Sequence, residues 1–338
     1  MKRNVSLLIA CVVVCWAIIL MQMCGCIATA GAAEFNFRAS HSYDVSHPTH
    51  KSFVHYAELV EKESKGRIHI TVIPAGALGQ LDEMLNQMKF GALEINPINP
   101  TTMAKANQKF MFDELPYLYP DMDTAIRAMR GDLGKIIGAL MYEDGVKMLN
   151  FTLPIGFRNM TNNIRPIEKP EDLKGLKIRV AESRIRIEAF KLLGISPTPM
   201  PFGELYSALK LKTVDGQENP LSMIYASRFY EVQKYLSLTR HLFNSGGLGF
   251  SRVIWDKLPK DVQELLQRCA TESEPFDLAA IGAAESEALG LLKGKGMMVN
   301  DVDTTPFRKI LRPVYSDWAP TFGPEIVSAI KKYTGAEF

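Results

Sequence analysis

Cysteine is scarce where it could matter. Four of the five, Cys11, Cys15, Cys24 and Cys26, precede residue 34, and only Cys269 follows. The chain beyond residue 33 therefore forms no internal disulfide and must be held by core burial. An excess of charge of one sign is also missing. The chain has 39 basic and 37 acidic residues, and residues 1–33 contain Lys2, Arg3 and no acid. The remainder carries 37 of each, so its formal charge is zero. Nothing in that balance points to nucleic acid or to a membrane surface as partner.

Catalytic signatures are absent too. There is no Gly-x-Ser-x-Gly elbow, no His-Glu-x-x-His and no phosphate-binding Gly-x-x-x-x-Gly-Lys. The glycine turns at 76–79 (GALG) and 246–249 (GGLG) lack dinucleotide-binding spacing, so no cofactor is expected. His41, His47 and His50 cluster without a cysteine or acidic pair to complete a familiar metal site. They read better as a polar loop and helix start. Cys269 lies on a helical stripe and reads as a small core residue. No internal repeat or low-complexity segment interrupts the chain.

The N-terminus has the order of a secretory leader. Basic Lys2 and Arg3 precede an almost wholly apolar stretch over 5–21, and small Ala28, Ala30, Ala32 and Ala33 follow. Cleavage is expected within residues 30–33, with export to the periplasm. The apolar stretch is long enough to serve instead as an uncleaved anchor. Lipid modification at Cys26 fits less well with its preceding residues.

About 305 residues remain, enough for two domains. Strand-like and helix-like segments alternate. Residues 35–39 read as a strand; Phe53, Tyr56, Ala57 and Val60 repeat at helical spacing; Ile68, Ile70 and Val72 alternate as a strand. Residues 84–88 mark a helix and 93–98 a strand. A second alternation starts after Gly156, with a strand over 176–180, a helix capped by Ser183 and an extended Pro-rich run over 196–201. The pattern predicts α/β layers around largely parallel sheets. Residues 260–293 are strongly helical, roughly 45–50 Å long if continuous, with Pro275 expected to kink or interrupt them. Such a helix could brace two domains.

Two arginines and an asparagine carry the functional signal. Arg179 sits in a strand-like run, where a guanidinium needs an anion. Its planar fork suits a carboxylate better than a lysine would. Arg158 and Asn219 complete the set. Each has a structural alternative: an ion pair with Glu182, Glu204 or Glu218 for the arginines, and a helix cap before Pro220 for Asn219. All three are expected at strand ends or helix starts, where open α/β sheets bind ligands.

At these residues the chain resembles the solute-binding receptors of TRAP transporters, the tripartite ATP-independent periplasmic carriers. The matching segments are 156–167 (GFRNMTNNIRPI), 170–180 (PEDLKGLKIRV), 197–209 (PTPMPFGELYSAL), 214–220 (VDGQENP) and 229–239 (FYEVQKYLSLT), with His241. Leu78, Gly79 and 115–118 (LPYL) fit the N-terminal half. The likeness spans residues 35–335. One departure lies at 211–214 (LKTV), where the family usually has a glycine; it should affect a turn.

The resemblance implies two α/β domains with a ligand cleft between them and a long helix spanning both. It divides the chain into 34–155 plus about 246–285, and 156–245 plus about 286–338. It implies Arg179 as the carboxylate clamp, Arg158 as a second donor, Asn219 as the amide partner and Phe202 as a cleft aromatic. Asn99, Ser40, His41 and Gln80 fall where the rest of the ligand varies. The implied function is a non-catalytic, monomeric receptor that delivers a small organic acid to membrane permease subunits. The polar set Asn99, Ser40, His41 and Gln80 favours a sugar acid over a C4-dicarboxylate, a keto acid or an amino-acid derivative. A ligand sensor for a signalling partner, or a secreted α/β enzyme, are the alternatives.

Overall fold

The computed structural model describes residues 33–338. The expected leader and the four cysteines within it lie outside the described residues. Two sheets organise the rest. The first has five strands in the order β2 (Ile68–Ile73), β1 (Phe35–Ser40), β3 (Ile95–Ile98), β10 (Gly247–Ser251) and β4 (Val146–Met148). The second has six, in the order β11 (Met298–Asp301), β9 (Tyr235–Asn244), β5 (Gly156–Asn162), β8 (Gly216–Asn219), β6 (Lys177–Val180) and β7 (Ser196–Pro199).

Both sheets are mixed rather than largely parallel. β1 pairs in parallel with β2 and β3, but β10 runs antiparallel to β3 and β4. In the second sheet β6 is parallel to β7 and β8, while β5 is antiparallel to β8 and β9. The cause is the path of the chain. Residues 149–155 lead from β4 to β5, and residues 245–246 return from β9 to β10, so the sheets exchange strands in opposite directions. The two crossings bond to each other through Leu149 N–H to Leu248 O (2.8 Å), Leu153 N–H to Gly246 O (3.0 Å) and Ile155 N–H to Asn244 O (2.9 Å). A Cβ at Gly247 would stand 1.9 Å from Asn150 O, so this close approach requires glycine. That is the physical use of the glycine run at 246–249.

Asp113 fixes the return crossing. Its carboxyl accepts from Ser245 Oγ (2.8 Å) and from the Ser245 N–H (2.9 Å). Burial pushes its pKa up to about 8.

The helix Pro48–Glu63 buries Phe53, Tyr56, Ala57 and Val60, the stripe that its 3.6-residue spacing dictates. It packs on Val262, Leu266, Cys269 and Ala270 of the helix Lys260–Gly294. Tyr56 Oη donates to Leu266 O at 3.1 Å. Cys269 is fully enclosed, and burial pushes its thiol up to about 11.

The long helix runs unbroken through Pro275 for 35 residues, about 50 Å. Pro275 removes one N–H donor but does not interrupt the helix, because buried Ser273 and Asp277 on either side anchor it. Its first half rests on the helix beside the first sheet. Its second half reaches the other sheet, where Glu285 accepts from the N–H groups of Leu221 (3.2 Å) and Ser222 (2.9 Å). The sequence expectation of a helix bracing both halves is met.

The C-terminal helices, grouped by sequence with the second half, touch both. Trp318 Nε1 donates to Glu188 at 2.8 Å, while Tyr315 Oη donates to Pro116 O (2.8 Å) and Tyr333 Oη accepts from the Asp132 N–H (3.2 Å). Within 211–214, Lys212 adopts a left-handed conformation, φ 58°. The departure does fall on a turn.

Candidate functional site

Arg158, Arg179 and Asn219 come together on the second sheet. β8 lies between β5, which carries Arg158, and β6, which carries Arg179. Asn219 is the last residue of β8 and pairs with Asn159; Arg179 pairs with Gln217. Arg158 is not at a strand end. It sits within β5 at a bulge, where the register against β9 slips between Arg158 and Met160. Bulges re-aim the side chain they displace. Gly216 lets β8 approach β5, since a Cβ there would stand 2.0 Å from Thr161 O.

The three side chains are buried in different ways. Arg158 has an acidic partner, Glu218, one of the three that the sequence had offered. Its Nε donates to Glu218 Oε2 (2.5 Å), and its Nη2 donates to Glu218 Oε1 (3.0 Å), Glu218 O (2.7 Å) and Asn219 Oδ1 (2.8 Å). Asn219 in turn donates from Nδ2 to Gln217 Oε1 (2.5 Å). It is not a helix cap: the first N–H groups of the helix Leu221–Ala226 bond to Glu285 instead.

Arg179 has no acidic partner among the described residues. Its Nε (3.0 Å) and Nη2 (2.7 Å) both donate to the Met200 carbonyl. The residue is 3% exposed. Burial lowers its pKa to about 10; Glu218 opposes the shift, and the charges of Arg158 and Arg186 add to it. Nη1 of Arg179 and Nη1 of Arg158 make no hydrogen bond among the described residues. Each arginine thus bonds the protein with one edge of its fork and keeps other N–H groups free.

A third arginine escaped the sequence reading. Arg186 is 2% exposed and bridges two carboxylates: Nε and Nη2 donate to Glu114 (2.8 and 2.7 Å), and Nη1 donates to Glu218 Oε1 (2.7 Å). His241 Nε2 lies 3.3 Å from Glu218 Oε2. Burial alone would raise the Glu218 pKa, but Arg158 and Arg186 hold it well below the ordinary carboxylate range. His241 is pushed down, first by burial.

The facing side comes from the first sheet. Ser40 and His41 are fully enclosed. The Ser40 hydroxyl donates to Ile73 O (3.0 Å). His41 Nδ1 accepts from the Tyr43 N–H (3.3 Å), and its Nε2 meets His50 Nδ1 at 3.0 Å. Neither residue has a free polar atom in this arrangement. Asn99 caps a short helix, its Oδ1 accepting from Thr102 N–H and Oγ1, both at 2.9 Å. Gln80 begins the helix Leu81–Lys89, and its side-chain amide stands 3.9–4.0 Å from where a Cβ on Gly203 would be. Phe202, 43% exposed, lies under the Arg179 guanidinium at 5.8 Å. Lys105 crosses between the halves, bonding Asp82 (2.5 Å) and Glu182 (3.3 Å). The described residues contain no group of three or more His, Cys, Asp or Glu that could hold a metal ion; the three clustered histidines bond to each other and to backbone instead.

Known proteins share the sequence pattern and the fold. The profile of the bacterial extracellular solute-binding proteins, family 7, matches residues 39–321. The sialic acid-binding periplasmic protein SiaP of Vibrio cholerae is 33% identical over 274 residues, 81% of this chain and 85% of that protein. The sugar acid-binding protein DctPAm of Advenella mimigardefordensis, solved with galactonate, is 32% identical with a TM-score of 0.84, covering 89% of this chain and 97% of that one. A TRAP periplasmic solute-binding protein of Polaromonas, bound to D-erythronate, is 31% identical with a TM-score of 0.84, covering 88% and 99%.

Proposed function

The chain belongs to the family 7 bacterial extracellular solute-binding proteins, and from that membership we propose that it is a non-catalytic receptor for a small organic acid. Arg179 receives the ligand carboxylate, with Arg158 as second donor and Asn219 holding Arg158 in place. Phe202 covers the clamp, and Asn99 and Gln80 stand on the opposite wall. The receptor works outside the cytoplasm after loss of its leader, as a monomer, and passes the acid to membrane permease subunits.

One observation carries this reading: Arg179 is enclosed, cationic and without a carboxylate of its own among the described residues. A buried guanidinium bonded only to a carbonyl is incompletely compensated, and a carboxylate is the anion its fork matches. The galactonate and D-erythronate complexes of the relatives support a sugar acid in particular. The same arrangement without an activated nucleophile gives no support to an enzyme.

A thermal-shift screen over organic acids tests the proposal. A ligand at 100 times its Kd stabilises by about 2.7 kcal/mol, so at least one acid should raise the melting temperature while its primary amide does not. The absence of a shift with every mono- and dicarboxylate would remove the proposal.

A further inference from the structure

The charges enclosed at this site do not cancel. Arg158, Arg179 and Arg186 are 5%, 3% and 2% exposed, and Glu114 and Glu218 are fully enclosed. Arg186 takes both oxygens of Glu114 and one of Glu218; Arg158 takes Glu218 from the other side. Three cations thus face two anions, and Arg179, bonded to the Met200 carbonyl, is the one without a carboxylate among the described residues. Neither neighbouring titratable group bonds Arg179. His241 is pushed down, chiefly by burial, and its Nε2 meets Glu218, while the Asp113 carboxyl is taken by Ser245 and Asn244 of the return crossing. One guanidinium remains without an anion, and one carboxylate neutralises it. A second would enter a low-dielectric site with no cation to meet it.

The facing wall supplies neutral donors. The Tyr43 N–H donates to His41 Nδ1, which fixes the His41 proton on Nε2 and directs it to His50 Nδ1. The Thr49 N–H donates to His47 Nδ1 at 3.2 Å, which fixes the His47 proton on Nε2. Burial lowers both His41 and His47 to about 4. The Tyr43 ring stacks on His47 at 4.2 Å, and its phenol lies within reach of the Arg158 charge. Neither Tyr43 Oη nor His47 Nε2 bonds to another described residue. Lys105 at the rim already holds Asp82 and Glu182.

We propose that this receptor selects acids with a single carboxylate and a hydroxylated body: Tyr43 Oη and His47 Nε2 donate to hydroxyls remote from the carboxylate, and Glu218 is the positioning residue that limits the site to one negative charge. The inference rests on Arg179 holding a carboxylate. Neutral donors satisfy hydroxyl oxygens without an ion to desolvate, whereas a remote carboxylate needs a compensating cation.

Titration calorimetry with the purified protein tests it, using D-gluconate and D-galactonate, the matching D-glucarate and galactarate, and hexanoate. The better aldonate should bind at least 30-fold tighter than its aldarate and than hexanoate. Tyr43→Phe combined with His47→Gln should weaken the aldonate tenfold or more and leave hexanoate within twofold. Glu218→Gln should move the aldonate-to-aldarate affinity ratio at least tenfold towards the aldarate; being a ratio, it is read on whatever fraction folds. An aldarate within threefold of its aldonate, or an unmoved ratio in Glu218→Gln, overturns the inference while leaving the receptor reading intact. Failure of every acid to bind would remove both.

Discussion

Arg158 and Arg179 have the same side chain and similar burial, yet their neighbours divide their roles. Arg158 is built into the protein by Glu218 and Asn219; among the described residues Arg179 hydrogen-bonds only Met200 O. The resemblance gave them different roles, but the residues alone left an ion pair open for both, because Glu218 is distant from Arg158 in the chain and becomes its neighbour only through the β5–β8 pairing. Arg186 was missed because Arg184, two residues away, is an exposed arginine of the same helix. A signal was present: Arg186 precedes Ala189 and Phe190 by three and four residues, which puts it on the apolar face. Glu114 had a similar signal among Phe110, Phe112 and Leu115. The histidine trio also makes a prediction at this scale. His41 has a folded pKa of about 4 against an ordinary 6.5. As pH falls from 6.5 towards 4 the unfolded chain takes the proton first, so stability present above 6.5 is lost across that window. The loss is on the order of 3 kcal/mol. His41→Gln should therefore show a smaller fall in unfolding free energy between pH 7 and pH 4.5 than the parent protein. Equal slopes would mean that the imidazole is not held neutral.

Among the elements, those with a clear period were legible. The helices Pro48–Glu63 and Lys260–Gly294 and strands β1 and β2 lie where spacing put them. Strand direction was not legible. A strand's residues fix which face is buried but not whether its neighbour runs up or down, and here the crossings at 149–155 and 245–246 decided that. Pro275 does not interrupt its helix, because a proline's local effect yields when flanking turns are anchored by packing. Lys212 shows the reverse: a residue whose propensity opposes its turn, at φ 58°. Lys212→Gly should raise the unfolding free energy by about 1 kcal/mol or less, read as a higher urea midpoint at unchanged slope. A lowered midpoint would show that the lysine side chain makes a stabilising contact.

Across the whole molecule, the two sheets meet through contacts of unequal weight. The rim bridge of Lys105 to Glu182 is exposed on both sides, and pairs of that kind contribute about 0–1 kcal/mol. It cannot hold the halves together alone. The long helix and the paired crossings fix which faces oppose each other, and the proposed function leaves the ligand to select the closed arrangement through its differential affinity for it. That proposal places the main burden on Arg179, whose fork matches a carboxylate and which bonds only the Met200 carbonyl among the described residues. The direct measurement is titration calorimetry of the parent protein and Arg179→Lys with the best acid from the screen. Lysine keeps the charge but loses the fork, so affinity should fall by about 100-fold, roughly 2.7 kcal/mol. Affinity within threefold of the parent would contradict the assignment of Arg179 as the carboxylate clamp.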